Sequence, residues 1–221
     1  MLGLWNMTRR PAGQYIPAAL LMMGLALLGA RAGFVFLRLP YYTLHPLETV
    51  NFAAGGLDGP GAMVGALLGL ALAGFSRPAS FFRLLEAVAQ GLAPLAAAAW
   101  LGCWLSGAAD GAPTLPPALS WLDWAPTPAA HWPLPAVAAL GLLLFYFWLD
   151  GHLLMLKNSG RGFFYFLAAA VSLLVVSLLR QDEPAPFWSG MRLDILESVL
   201  LSLACLAACL VVWVKFERKV R

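Results

Sequence analysis

Charge is scarce in this sequence. Asp, Glu, Lys and Arg make up 11% of its 221 residues, less than half the share of an ordinary soluble domain. A water-soluble globular reading therefore has almost no support. Cysteine is scarcer still. Cys103, Cys205 and Cys209 are odd in number and sit in apolar surroundings, which gives neither a disulfide framework nor zinc spacing. Cys205 and Cys209 share a helix face, and buried thiols there read as packing. There are three histidines, with no His-rich metal motif, no nucleophile triad and no phosphate-binding glycine loop. No metal and no cofactor is expected. The formal charge of +3 is no nucleic-acid signal, because the basic residues cluster at the ends of apolar segments.

What is abundant is apolar sequence, at 61% of residues. It falls into six runs: Tyr15–Leu37, Pro60–Phe75, Phe81–Ser106, Leu134–Met155, Gly162–Leu179 and Asp194–Val214. Most have the roughly 18 to 25 residues needed to cross a bilayer. The expected fold is all-α, a single integral membrane domain over residues 1–221 with about six transmembrane helices. With the N-terminus in the cytoplasm, Arg9, Arg10, Arg77, Arg83, Lys157, Arg161, Lys215, Arg218, Lys219 and Arg221 all fall on the cytoplasmic side. Only Arg38, Arg180 and Arg192 fall outside. The positive-inside rule selects that orientation and puts both termini in the cytoplasm. The first run is too long for a cleaved signal peptide, and Arg31 within Ala30-Arg31-Ala32 suits a cleavage site poorly. Arg9-Arg10 reads as a topology anchor.

Glycines Gly24, Gly29 and Gly33 in the first run, and Gly61, Gly65 and Gly69 in the second, are expected to let helix backbones approach closely in lipid. Three stretches are expected on the outer face: 39–59, 108–133 and 180–192. The first is too apolar for a free loop and too punctuated by Pro and Gly for a helix. It reads as interfacial or re-entrant, tolerated at membrane depth only where buried in protein or lining a cavity. The second holds six prolines and three tryptophans and reads as a lid on the membrane surface.

Ionisable residues inside spans default to functional candidates. Arg31 is expected either to form an ion pair or to snorkel outward to a lipid phosphate, which a guanidinium grips bidentately. Glu86 reads as a helix-surface partner of Arg83. Asp150 and His152 read as a shallow solvated cluster. Asp194 and Glu197 open the last helix, where acids suit the positive end of the helix dipole.

Several stretches, in order, resemble the bacterial prolipoprotein diacylglyceryl transferase family. They are Leu28-Gly29-Ala30-Arg31-Ala32-Gly33-Phe34-Val35; His45-Pro46-Leu47-Glu48 followed by Gly55-Gly56-Leu57; Gly102-Cys103-Trp104-Leu105-Ser106-Gly107; and Leu179-Arg180-Gln181-Asp182-Glu183-Pro184 with Gly190-Met191-Arg192-Leu193-Asp194. The resemblance implies transfer of the diacylglyceryl group of phosphatidylglycerol to a lipobox cysteine thiol, with arginines holding the lipid phosphate. Such chemistry needs charge stabilisation at the leaving glycerol phosphate and a group to take the thiol proton.

The resemblance fails where that chemistry would sit. The family's histidine after the glycine pair is Pro60. Its arginines align with Trp100 and Leu173, its glutamate with Ser177, and a polar position with Ala108. The resemblance also implies a further helix before the first run, and whether another chain supplies it stays open. The leading expectation is a non-catalytic homologue that binds phosphatidylglycerol or a lipoprotein as a membrane subunit. Lipid head-group candidates are Arg31, Arg180, His45, Glu48 and Asp182. The alternatives are an active transferase rebuilt from those residues and, third, a transporter or channel component.

Overall fold

The computed structural model describes residues 16–52, 55–74, 78–106, 132–152, 162–180, 187–188 and 191–220. Six long helices carry the six apolar runs: α1 (Ile16–Leu37), α3 (Gly59–Gly74), α4 (Pro78–Leu105), α5 (Leu134–His152), α6 (Gly162–Leu179) and α7 (Leu193–Val220). A short α2 (Leu39–Leu44) and a 3-10 turn (Pro46–Val50) follow α1. Two residue pairs, β1 (Phe187–Trp188) and β2 (Met191–Arg192), form an antiparallel hairpin between α6 and α7, with Phe187 opposite Arg192 and Trp188 opposite Met191.

The fold is all-α and polytopic, as the sequence implied. Four segments are long and apolar enough to span a bilayer: Ile16–Leu37, Leu84–Leu105, Gly162–Leu179 and Leu193–Val214. Two apolar helices are shorter, Gly59–Gly74 and Leu134–Leu149. At 1.5 Å per residue the 16 residues of α3 cover about 24 Å, less than a hydrocarbon core of about 30 Å. The reading of 39–59 as too punctuated for a helix is corrected by α2 and the 3-10 turn. Pro40 and Pro46 sit at the first turns of α2 and of the 3-10 turn, where a missing N–H is harmless.

Helices α1 and α3 form the tightest pair, antiparallel and glycine-lined. Lipid tails are as apolar as leucine, so close van der Waals contact drives association here. A Cβ at Gly69 would stand 2.7 Å from the Met22 Cα, and one at Gly61 or Gly65 would strike the carbonyl of Gly29 or Leu25. Gly29 meets Gly61 and Gly65 in return. Gly24 is different from its expectation: nothing lies within 4 Å of a Cβ built there. Gly33 makes room for the Asp58 carboxylate, not for another helix.

The rest of the bundle closes around Leu70, Leu85, Ala89, Tyr165, Phe166 and Ala170, all essentially inaccessible. Helices α4 and α6 run parallel. Gly162 packs on Leu85 and Ala89 at one end, and Trp100 Nε1 donates to Ser172 Oγ at 3.2 Å towards the other. Helix α7 lies mainly along α6, its face of Ser198, Leu201, Ser202, Cys205 and Cys209 buried. The end of α1, the start of α3, the end of α6 and the start of α7 thereby meet at one end of the bundle.

Candidate functional site

Two polar groupings occupy that end. The first is built on Arg31, which is 4% exposed. Its Nε donates to the Thr49 carbonyl at 2.8 Å, Nη1 to the Gly55 and Gly56 carbonyls at 2.6 and 3.1 Å, and Nη2 to the Glu48 carbonyl at 2.5 Å. Four of the five guanidinium N–H groups thus end on backbone of the stretch between α1 and α3. Gly55 and Gly56 take φ of 75° and 77°, which only glycine adopts freely, and this turns both carbonyls onto one nitrogen. Phe34, Tyr42 and Phe52 surround the cation at 5.8, 5.4 and 5.9 Å from their ring centres. Among the described residues, neither the ion pair nor the snorkelling geometry expected for Arg31 is found. The guanidinium turns inward because carbonyls of irregular backbone need donors where water is scarce.

The second grouping joins α6, β2 and α7. The Arg180 guanidinium lies 2.9 Å from Asp194 Oδ2. Arg192 grips the same carboxylate through Nε at 3.2 Å and Nη2 at 2.8 Å, and Nη1 donates to the Arg180 carbonyl at 3.4 Å. Asp194 is 5% exposed, so it is the buried acceptor of two arginines. The dipole reading of this residue is therefore incomplete. Asp58 lies within electrostatic range of Arg180, Asp194 and Arg38, and Glu197 within range of Asp58 and Asp194. Glu197 also departs from the dipole reading: its Oε2 is buried without a partner among the described residues, as are the hydroxyls of Ser198 and Ser202.

Asp58 was not among the candidates, yet it ties the two groupings together. Its Oδ2 accepts the Gly61 N–H at 2.6 Å and its own N–H donates to the Ala30 carbonyl at 2.9 Å. It is thus the N-cap of α3, and the signal for it was present: an Asp directly before Gly-Pro at a helix start. Burial pushes its carboxyl above the ordinary 3.8, against the lowering effects of the Gly61 hydrogen bond and of Arg180.

His45 and Glu48 are exposed. The His45 ring lies 4.7 Å from that of Tyr41, and the Tyr41 hydroxyl donates to Glu48 Oε2 at 2.8 Å. That bond to an anion raises the Tyr41 phenol above its usual 10.0. Only the backbone carbonyl of Glu48 reaches Arg31. Asp182 and nearly all of the expected 108–133 lid lie outside the described residues.

Deeper in the bundle, the positions at which the family resemblance expected charge are filled by packing. Trp100 holds Ser172. Leu173 closes over Gly59, where a Cβ would stand 2.5 Å from Leu173 Cδ2. Ser177 is buried, and Pro60 is buried in the first turn of α3. Glu86 is not on a helix surface: it is 4% exposed and accepts the Gly162 N–H at 3.2 Å, capping α6. His152 is exposed, stacks on Trp148 at 4.7 Å and places Nδ1 2.8 Å from the Trp148 carbonyl. The side chain of Asp150, its expected neighbour, lies outside the described residues.

Comparison with known proteins follows the same line. A family model described as prolipoprotein diacylglyceryl transferase matches residues 1–215. Proteins named phosphatidylglycerol–prolipoprotein diacylglyceryl transferase from Bacillus cereus (strain B4264), Bacillus thuringiensis subsp. konkukian (strain 97-27) and Bacillus anthracis (strain CDC 684 / NRRL 3495) are each 30% identical over 98 residues. The match covers 42% of this chain and 36% of each relative's length.

Proposed function

Since the chain belongs to the prolipoprotein diacylglyceryl transferase family, we propose that it keeps that family's membrane scaffold without the transfer chemistry. On this reading it serves as a lipid- or lipoprotein-binding subunit of a bacterial inner membrane. The observation that carries the reading is the content of the bundle interior. Trp100, Leu173 and Ser177 occupy positions where the resemblance expects two arginines and a glutamate, and each is committed to packing. Arginines there would hold a lipid phosphate through charge-assisted hydrogen bonds, each contributing about 1.5 to 3 kcal/mol, and Trp100, Leu173 and Ser177 carry no positive charge to replace them. Arg31, for its part, has four N–H groups on backbone carbonyls.

The retained ligand class follows from the relatives' names, phosphatidylglycerol and prolipoprotein. Arg180, with Arg192 beside it, is the head-group candidate with the best support, being part-exposed at the bundle end. His45 and Glu48 lie on the stretch between α1 and α3 at the same end, and Asp182 stays a candidate from the sequence. The positive-inside count supports an orientation with that end outward and both termini in the cytoplasm.

A second reading, an active transferase with a rearranged site, draws on one feature. Asp194 pairs with Arg180 and Arg192, Asp58 lies within range of Arg180, and Glu197 lies within range of both acids, so carboxylates to take a thiol proton and cations to meet a phosphate are both present. Incubating the purified protein with labelled phosphatidylglycerol and a lipobox peptide separates the two. The proposal expects lipid or peptide to be retained with no thioether product. Sustained thioether formation would overturn it. Head-group binding is tested by native mass spectrometry of Arg180→Ala, which should carry less phosphatidylglycerol; unchanged lipid content would remove Arg180 from the site.

A further inference from the structure

The stretch after α1 carries an amphipathic pattern that neither polar grouping uses. A 3-10 turn has three residues per turn, so side chains three apart stack on one face. Leu47 and Val50 share such a face and are 87% and 74% exposed, and Leu44, one step earlier, is 78% exposed. The adjacent register holds exposed Glu48, flanked by His45 and Asn51. The third holds Thr49, whose carbonyl meets Arg31, and Phe52, which lies beside the guanidinium. One face is anchored on the protein, one is polar, and one is apolar and uncovered.

The connectivity fixes the depth of this turn. The stretch that carries it begins at Leu39, two residues past the end of a membrane-length helix. It returns at Asp58, whose N–H is bonded to the Ala30 carbonyl inside α1. Leu37 lies six residues beyond Arg31, about 9 Å along the axis, so the chain returns alongside α1 instead of rising away from it. The 22 residues of α1 extend about 33 Å, close to the hydrocarbon thickness. Helix α1 also leaves apolar side chains uncovered, Phe36 and Leu28 among them. We infer that Leu44, Leu47 and Val50 rest in the acyl chains of the adjacent lipid leaflet, with His45, Glu48 and Asn51 turned to head groups and water. Arg31 makes this arrangement tenable by supplying donors to the backbone carbonyls of the same turn.

Spin labels at cysteines introduced at 47, 48, 50 and 51 test this in liposomes. The parent is Cys103→Ser, because Cys205 and Cys209 are buried. Collision with oxygen, which partitions into hydrocarbon, is compared with collision with a water-soluble nickel chelate. The oxygen-to-nickel ratio should be several-fold higher at 47 and 50 than at 48 and 51. Equal ratios at all four positions would overturn the inference. So would protection of 47 and 50 from both reagents, which would mean that protein covers the face. A photoreactive benzophenone residue at Leu47, with the native cysteines kept, gives an independent readout. Adducts to phospholipid are expected; adducts confined to this chain or to another protein would refute the assignment.

Discussion

Replacing Arg31 by methionine removes the donors that hold the stretch between α1 and α3 while nearly preserving side-chain volume. Four backbone carbonyls, those of Glu48, Thr49, Gly55 and Gly56, lose a charged partner. An unsatisfied buried polar group costs about 1–3 kcal/mol, so the four set a range of about 4–12 kcal/mol. The lower end applies, because part of the stretch is exposed and water will enter as it loosens. A local loss of about 4 kcal/mol corresponds to an opening equilibrium raised about a thousandfold. Hydrogen exchange reads this at the amides of Glu48, Asn51 and Asp58, which donate to His45, Glu48 and Ala30. Their exchange should accelerate by that factor while the α4–α6 core around Leu85 and Phe166 stays protected. Arg31→Lys should fall between parent and Met, since one ammonium cannot span both pairs of carbonyls. Exchange in Arg31→Met within about tenfold of the parent would refute the clamp. Loss of bound phospholipid with unchanged exchange would return Arg31 to a head-group role.

The glycine seam gives a contrast pair. Gly65→Ala should lower thermal stability in detergent by about 1–3 kcal/mol through overpacking against the Leu25 carbonyl, whereas Gly24→Ala should be neutral or slightly stabilising; equal effects would remove the seam from the argument. Asp58 has its carboxyl raised above 3.8 by burial. Its protonated form therefore favours the folded state, with that stabilisation fully present below 3.8 and fading as pH rises through the folded value. Asp58→Asn keeps an oxygen acceptor for the Gly61 N–H and should flatten the stability–pH curve above pH 3.8; an unchanged slope would contradict the assignment. Arg180→Ala and Arg192→Ala should each be mild, because either arginine alone still pairs with Asp194. The double variant leaves a buried carboxylate uncompensated and should lose more than the two singles together, up to about 3 kcal/mol. Additive melting shifts would show that the two arginines act separately.

The sequence by itself determined a good deal. Apolar runs bounded by Pro, Gly and charge specify where helices lie in a bilayer, since each backbone group must be satisfied within its own segment. All six runs became helices for that reason. The Gly61, Gly65 and Gly69 spacing announced a close helix contact, and the ordered motifs announced the family. Pattern could not say which residues would meet across the bundle. Arg31 looked like a group seeking a charge or a phosphate. The tertiary structure instead brought it four carbonyls from residues 17 to 25 positions later in the chain. Glu86 looked like a helix-surface residue, until α6 helped to bury it and placed its first N–H against it. Asp194 and Glu197 read as acids near a helix dipole, until α6 and the hairpin delivered Arg180 and Arg192 to the first and left an oxygen of the second enclosed. Local pattern fixes where a segment runs because its hydrogen bonds close within it, whereas the partner of a buried charge is set by whichever distant backbone or side chain folding carries to it.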